Sequence, residues 1–406
     1  MHLFQKAPIF NIKNLLILAI LLRVIWACLV PVVPVSDSFL YDVFAQSIAT
    51  GNGYAFPNGD ITVYWPVGTS AIYAIIYKIF GISFLPIVVF NIVIGTLIVW
   101  LTYAIAQRYL NNNVALIAAF LVALWPILIQ FTTILASEII FIFLILSAIY
   151  VWGCKQLSPI LRAIIWGALI CVATYVRPTA QFIFLFLPIL DWLANKDRRA
   201  AIQSFCIAAI TAALLFSPWV YRNHQVFGEF VLVSANGGVN LWMGNNPNSN
   251  GGYNDLTDLP FKNEVTRDNY FKKEAIDFIV HNPLSYAKLA LKRALITYKA
   301  ETIGIVWNGY LEKHFTKPIL IGMKLISSIF WWLVLVFAGI GVYKLLKERR
   351  LAPFNALFAV AAFFFVFPIL TVAQDRYHLP INPFLAIFAA YTLQSMLSNY
   401  NLIRAK

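Results

Sequence analysis

Apolar residues in this chain fall in long unbroken runs, not at alternating positions. The runs lie at roughly residues 12–34, 84–107, 114–131, 134–153, 160–176, 178–194, 201–221, 318–343, 352–372 and 379–398. Several exceed the roughly 20 residues an α-helix needs to cross a bilayer core. Continuous hydrophobicity excludes a transmembrane β-barrel, whose strands alternate. The pattern predicts an all-α polytopic membrane protein with about ten spans. The first run, Leu15 to Val33, follows Lys6 and Lys13 but precedes no small-x-small cleavage site, so it is expected to stay as a first span.

Two hydrophilic segments, residues 36–66 and 222–316, interrupt the apolar runs. They divide the chain into a membrane module at 1–221, a long loop at 222–316 and C-terminal spans at 317–406. Pro66 to Phe80 is apolar, but as a helix it covers only about 22 Å of a ~30 Å core. It is expected to form a re-entrant or steeply tilted half-helix. In the first loop, Leu40, Phe44 and Ile48 have the i, i+4, i+8 spacing of an amphipathic juxtamembrane helix, expected to lie on the membrane. The second loop holds a Gly/Asn-rich stretch, Asn236 to Asn254, then two helices separated by Asn282-Pro283. Of these, Leu284 to Lys299 mixes Leu289, Leu291, Leu295 and Ile296 with Lys288, Lys292 and Arg293, a composition suited to an interface rich in anionic lipid.

Composition agrees. Of 406 residues, 61% are hydrophobic and 12% charged, more apolar surface than a soluble core can hide. A net charge of +13 raises the question of nucleic acid. The basic residues answer it by clustering at span ends, so nucleic acid is not an expected partner. One set of short connections carries Lys6 and Lys13; Arg108; Lys155 and Arg162; Lys196, Arg198 and Arg199; Lys344, Lys347, Arg349 and Arg350; Arg404 and Lys406. The first loop on the opposite side holds Asp37, Asp42 and Asp60 and no lysine or arginine. Positive residues stay cytoplasmic, so both termini are expected inside and both hydrophilic loops outside. Counting Pro66–Phe80 as a full span would reverse every later basic cluster. Cys28, Cys154, Cys171 and Cys206 lie in or beside apolar runs, leaving the loops without a disulfide framework or a CxxC metal site. No Asn-x-Ser/Thr acceptor occurs, which points to a bacterial plasma (inner) membrane over a eukaryotic lumenal setting, with the outer face in the periplasm or exterior.

Several polar residues could carry chemistry. Asp37 opens the first outer helix, with Tyr41 one turn on along the same face. Asp42 lies about 140° round from Asp37, on another face. Asp37 reads equally as a helix N-cap. Glu138 sits one turn inside a span, where it needs a polar cavity or a basic partner. A structural pairing with Arg177 or Arg376 would satisfy it. Arg177 precedes Pro178 and fits a snorkelling helix end. Arg376, beside Tyr377 and His378, fits an interfacial anchor. His224 and His378 read as interfacial, and no His/Asp/Glu cluster has metal-ligand spacing, so no metal is expected. Asn245 lies in Asn245-Asn246-Pro247, whose amides suit sugar hydroxyls but whose composition also suits a turn.

These residues fall in an order with a precedent. An acid just after the first span, a tyrosine four residues on, Gly51-Asn52-Gly53-Tyr54 and Tyr64-Trp65-Pro66-Val67-Gly68 together resemble the GT-C superfamily. The branch they resemble is that of the protein O-mannosyltransferases and the lipid A aminoarabinose transferases. Ser137-Glu138, Arg177-Pro178-Thr179, Asn236 to Tyr253 and Arg376-Tyr377-His378-Leu379-Pro380 extend the match along the chain. Two departures stand out: many relatives carry Arg or Lys where this chain has Trp65, and aminoarabinose transferases have an Asp-Glu pair where Ser38 follows Asp37.

The resemblance implies a GT-C-type helical bundle that transfers a hexosyl or pentosyl group from a polyprenyl-phosphate donor, with inversion, to a glycan, lipid or protein acceptor. It places Asp37 at the catalytic acid's position. It also implies substrate contacts from Tyr41, Asp42, Tyr64, Glu138, Arg177, Asn245, Arg376, Tyr377 and His378, among membrane lipids. Some such enzymes use a divalent metal, but the residues here give no reason to expect a cofactor. Arginine suits the donor phosphate because its planar fork stays charged and binds oxygens in pairs. The rival reading is a transporter or flippase of lipid-linked sugars. It is disfavoured because the one half-helix has no matching partner in a second repeat.

Overall fold

The computed structural model describes residues 11–195, 197–254, 256, 259–348 and 355–404; Lys6, Lys196, Arg349, Arg350 and Lys406 lie outside them. The first half comprises helices α1 (Ile12–Leu29), α2 (Asp37–Ala49), α3 (Gly68–Phe80), α4 (Phe84–Tyr109), α5 (Asn112–Leu124), α6 (Pro126–Gln130), α7 (Ser137–Trp152), α8 (Pro159–Val176), α9 (Ile183–Asn195) and α10 (Arg198–Phe227). The outer segment follows as α11 (Gly237–Gly244), α12 (Glu264–His281), α13 (Pro283–Tyr298), α14 (Ile303–Val306) and α15 (Gly309–His314). Helices α16 (Lys317–Lys347), α17 (Asn355–Leu370) and α18 (Asn382–Arg404) close the described chain. Among the described residues no strand forms beyond an isolated bridge between Ala55 and Ile61.

Helix starts follow capping chemistry. Asn11, Ser83, Asn111, Ser158 and Asp197 each accept a backbone N–H from the first turn of the helix they precede. Asn263 and Thr266 close a reciprocal capping box at α12. Pro126 follows Trp125 and ends α5, so the expected span at 114–131 is a pair of helices bent by 56°.

Among the described residues five helices, α1, α4, α8, α10 and α16, are long and apolar enough to cross a membrane, and the bent pair makes six. The other expected spans are also helical, at α7, α9, α17 and α18, but they are not among those six. The count of about ten is therefore not established by helix length and composition. The peripheral helices turn Ile17, Leu21, Ile25, Ile210, Leu214, Ile326 and Leu333 outward, as lipid-facing surfaces do. At the centre, α5, α7 and the first half of α18, residues 382–392, are buried on nearly every side.

The outer elements differ in part from the expectation. The Leu40/Phe44/Ile48 stripe of α2 faces protein, not the membrane. Phe44 is fully buried against Tyr54 at 4.8 Å, Phe56 at 5.0 Å and Trp65 at 5.8 Å, because the loop after α2 folds its aromatic residues back over that face. Helix α3 forms where the half-helix was expected and packs along α2. In α13, Leu284, Leu291 and Leu295 are exposed, whereas Leu289 and Arg293 are buried in the protein.

Close helix packing depends on small residues. A Cβ built on Gly341 of α16 would stand 2.1 Å from the Phe388 carbonyl oxygen of α18, whereas one on Gly339 would meet nothing within 4 Å. Gly341→Ala is expected to destabilise the folded protein by about 1–3 kcal/mol through overpacking. Gly339→Ala, two residues away, should be neutral or gain up to about 1 kcal/mol from helix propensity. Thermal unfolding in detergent compares them; equal effects would mean the α16–α18 contact is looser than described.

Candidate active site

The residue before Asp37 carries backbone strain. Ser36 has φ 54°, and among the described non-glycine residues no other has a positive φ. Such a position costs on the order of 1–3 kcal/mol and persists only where its surroundings fix it. It starts α2 abruptly, so Asp37 is the first helical residue and the N-cap is Ser36, which makes no side-chain cap bond. Asp37 is thus not a cap. It turns its carboxylate across the bundle and accepts a hydrogen bond from Arg376 Nη2 at 2.8 Å.

Arg376 lies between α17 and a 3-10 turn, Leu379–Ile381. Its Nε donates to Gln374 Oε1 at 2.6 Å, and its guanidinium lies over the Trp307 ring at 4.0 Å. Its Nη1 is 3.5 Å from Glu138 Oε1. Glu138 comes from the first turn of α7 and is fully buried. The same Oε1 accepts from Arg177 Nη2 at 3.1 Å. Arg177 ends α8 in an extended conformation, as expected of a residue before proline.

The result is an alternating line, Asp37–Arg376–Glu138–Arg177, with two negative and two positive groups and no net charge. It is closed in the middle and opens toward its ends, most of all at Asp37: Glu138 is 0% exposed, Arg376 8%, Arg177 15% and Asp37 26% at the side chain. Pairing lets four charges sit at the edge of an apolar bundle; deleting one partner of a buried pair typically costs about 3–5 kcal/mol. Burial opposes the charge on Arg376, but Asp37 first, then Tyr377 and Glu138, raise its pKa above the ordinary arginine value.

Three aromatic residues named from the sequence frame this line. Tyr377 lies 5.4 Å from the Arg376 guanidinium and 5.6 Å from that of Arg177. Tyr41 is buried on α2 one turn from Asp37; burial, then Asp37 and Glu138, raise its phenol. Tyr64 lies farther out, with Arg267 5.9 Å from its ring; burial pushes it up to about 12 against the pull of Arg267, leaving it neutral at ordinary pH.

Three other residues are not brought to the line. Asp42, on another face of α2, accepts from Tyr77 Oη at 2.5 Å and from Gln46 at 3.0 Å. Asn245 is buried and donates to the Leu241 and Thr371 carbonyls while accepting from Arg293 Nη1 at 2.8 Å. His378 is not interfacial. It is fully buried, with Nδ1 2.9 Å from the Thr297 carbonyl and Nε2 3.2 Å from Glu301 Oε1. Polar atoms in an apolar setting must find partners, and these three find them within the protein. Sequence reasoning missed Trp307, Gln374 and Glu301. Gln374 stands two residues before Arg376, but nothing in periodicity marks Trp307 or Glu301.

Asp37 and Glu138 each face an arginine, and among the described residues no three His, Cys, Asp or Glu side chains gather as metal ligands. This donor set does not fit a divalent cation, and no step is derived through one.

Residues 65–221 match the dolichyl-phosphate-mannose-protein mannosyltransferase family. No curated protein matches the chain. Solved structures do. The archaeal oligosaccharyltransferase AglB from Archaeoglobus fulgidus, in complex with an inhibitory peptide and a dolichol-phosphate, aligns with a TM-score of 0.58 at 16% identity, over 99% of this chain and 52% of that one. ArnT from Cupriavidus metallidurans, bound to undecaprenyl phosphate, aligns with a TM-score of 0.58 at 13% identity, over 96% of this chain and 61% of that one. This chain therefore spans about half the length of the archaeal protein and under two thirds of ArnT. At these identities the likeness establishes the fold. The chain is an integral membrane protein with apolar helices throughout; its residues 65–221 resemble the mannosyltransferase family, and its whole length shares the fold of AglB and ArnT.

Proposed function

We propose that this protein is a glycosyltransferase that moves a sugar from a polyprenyl-phosphate donor to an acceptor hydroxyl at the extracytoplasmic face of a bacterial plasma membrane. The observation that carries the reading is the Asp37–Arg376 pair. It sets a carboxylate beside a guanidinium at the open end of an otherwise buried charged line. Group transfer from a lipid phosphate needs a base for the acceptor proton and a cation for the departing phosphate. The solved neighbours bound to dolichol-phosphate and undecaprenyl phosphate support the donor class.

In the proposed reaction the acceptor oxygen attacks the anomeric carbon as the bond from that carbon to the phosphate oxygen breaks. Single displacement inverts the centre. The acceptor proton passes to Asp37, and the electron pair leaves with the polyprenyl phosphate, whose charge Arg376 and Arg177 receive. Because Arg376 donates to Asp37 in the structure, donor phosphate would compete for the same fork. Arg376 turned to the phosphate would free that Asp37 oxygen to accept the acceptor hydroxyl. Tyr377 and Trp307, against the guanidinium, keep water from the opposite side.

The basic clusters support an outward placement of the loops carrying Asp37 and Asn245. A cysteine at Ser249 should react with an impermeant maleimide in intact cells, and one at Asn112 only after lysis. The reverse pattern would sink the site's placement. For the chemistry, Asp37→Asn keeps shape while removing basicity. It should lower transfer from an undecaprenyl-phosphate-linked sugar by about 10²–10⁴-fold, the typical worth of a general base. Expression should be unchanged. Asp42→Asn, which disturbs only the Tyr77 and Gln46 contacts, should leave transfer within a few-fold of wild type. Near-normal turnover in Asp37→Asn would show that another group takes the proton.

A further inference from the structure

The geometry points to Glu301 and His378 as a positioning pair for Arg376, with Thr302 and Asp375 as its second fastening. This assignment rests on the glycosyltransferase reading above. Both flanks of Arg376 are tied to one segment, residues 297–307. On the N-terminal flank, Asp375 Oδ2 accepts from Thr302 N at 3.0 Å and from Thr302 Oγ1 at 2.6 Å. On the C-terminal flank, His378 is held by the Thr297 carbonyl and Glu301. The guanidinium between them rests on Trp307, from the end of the same segment. The arginine that meets Asp37 therefore sits on a stretch of backbone pinned one residue before it and two residues after.

The chemistry of the buried pair is constrained. A carbonyl oxygen only accepts, so the Nδ1 facing Thr297 carries hydrogen. Nε2 and Glu301 Oε1 then share a single proton, and the pair is neutral whichever atom holds it. The remaining acceptor capacity of Glu301 is taken by Trp125 Nε1, 3.0 Å from both oxygens, and by Asn382 Nδ2 at 3.0 Å. The His378 ring packs on Trp331 at 4.1 Å. Glu301 and His378 are both fully buried, so neither reaches a substrate. Trp125 after α5, Asn382 of α18, His378 and the Thr297 carbonyl converge with Glu301 in one hydrogen-bond network, which fixes rotamers and gives this segment a single arrangement. A role confined to holding one helix start would not need both flanks of Arg376 fastened to the segment that also supplies its aromatic floor.

The role is one of geometry, so it needs hydrogen bonds but no charge. His378→Phe keeps the ring against Trp331 and removes both nitrogens; Thr302→Val removes the hydroxyl bond to Asp375. Each should lower transfer about 10- to 100-fold, the scale of an ångström-level misplacement. In an Arg376→Ala background each should cost less than about twofold, because there is no longer a guanidinium to aim. Glu301→Gln should stay close to wild type, since a carboxamide can donate to Nε2 and, once Asn382 flips its buried Oδ1 inward, to Asn382, while still accepting from Trp125. Hydrogen exchange followed by mass spectrometry adds a readout that needs no substrate. In His378→Phe and Thr302→Val, residues 374–382 should exchange at least tenfold faster, with α1 and α4 unchanged. Equal losses of transfer in the Arg376 and Arg376→Ala backgrounds, or faster exchange throughout the bundle, would overturn the assignment and leave a purely structural hub. An inactive wild type would defeat the transferase reading, while the exchange data would still decide whether the segment is clamped.

Discussion

The pairing of charges at the edge of an apolar bundle governs the arrangement of this protein. Asp37 and Arg376 are 339 positions apart, yet their side chains meet at 2.8 Å. A lone charge at that depth would cost several kcal/mol, so the fold must deliver each partner to the other. Four separate parts of the chain supply the line: the start of α2, the start of α7, the end of α8 and the segment after α17. Each is a helix end or the turn beside one, where a side chain can leave an apolar surface without breaking a span.

Local features prepare those ends. Ser36 accepts an uncommon backbone conformation and sets Asp37 at the first position of α2, where the positive end of the helix dipole favours a carboxylate. Pro178 forces Arg177 out of helical geometry at the end of α8, so its side chain turns toward Glu138. Gly68, at the start of α3, lies so close to Tyr175 and Val176 that an added Cβ would stand 2.5 Å from backbone. That contact brings the α2–α3 pair against the end of α8. Strain, proline and a bare glycine each give up local freedom for one convergence.

Much of this was legible in the sequence because it follows from short-range rules. Hydrophobic runs gave the helices, and the 140° between Asp37 and Asp42 separated the acid that meets Arg376 from the one that meets Tyr77. Glu138, one turn into an apolar run, signalled a basic partner before any partner was known. What could not be read depends on long-range contact. The stripe on α2 has the spacing of a lipid-facing helix, but Tyr54 and Trp65 cover it. Asn245 and His378 carry the chemistry of a site and are spent on Arg293 and Glu301. Glu301 itself lies in a polar loop, where a buried acid has no sequence signal. Span number is also elusive, since α7 and α17 are short and their crossing depends on neighbours.

The two fully buried glutamates show how one fold treats the same side chain in opposite ways. Glu138 faces two arginines, permanent cations whose charges it divides, and the line it anchors opens toward solvent at Asp37. Glu301 faces an indole, an amide and an imidazole, groups that hold it without a permanent charge, and it opens nowhere. Charge is thus concentrated where a charged ligand could compete for it, and withheld where only rigidity is needed. The two arrangements meet on one stretch of backbone, residues 374–382, which carries Arg376 into the first and His378 and Asn382 into the second. Movement there would disturb the charged line and the neutral hub together. The arginine in that stretch is therefore better fixed than a surface arginine, whose side-chain freedom would otherwise oppose any ordered contact.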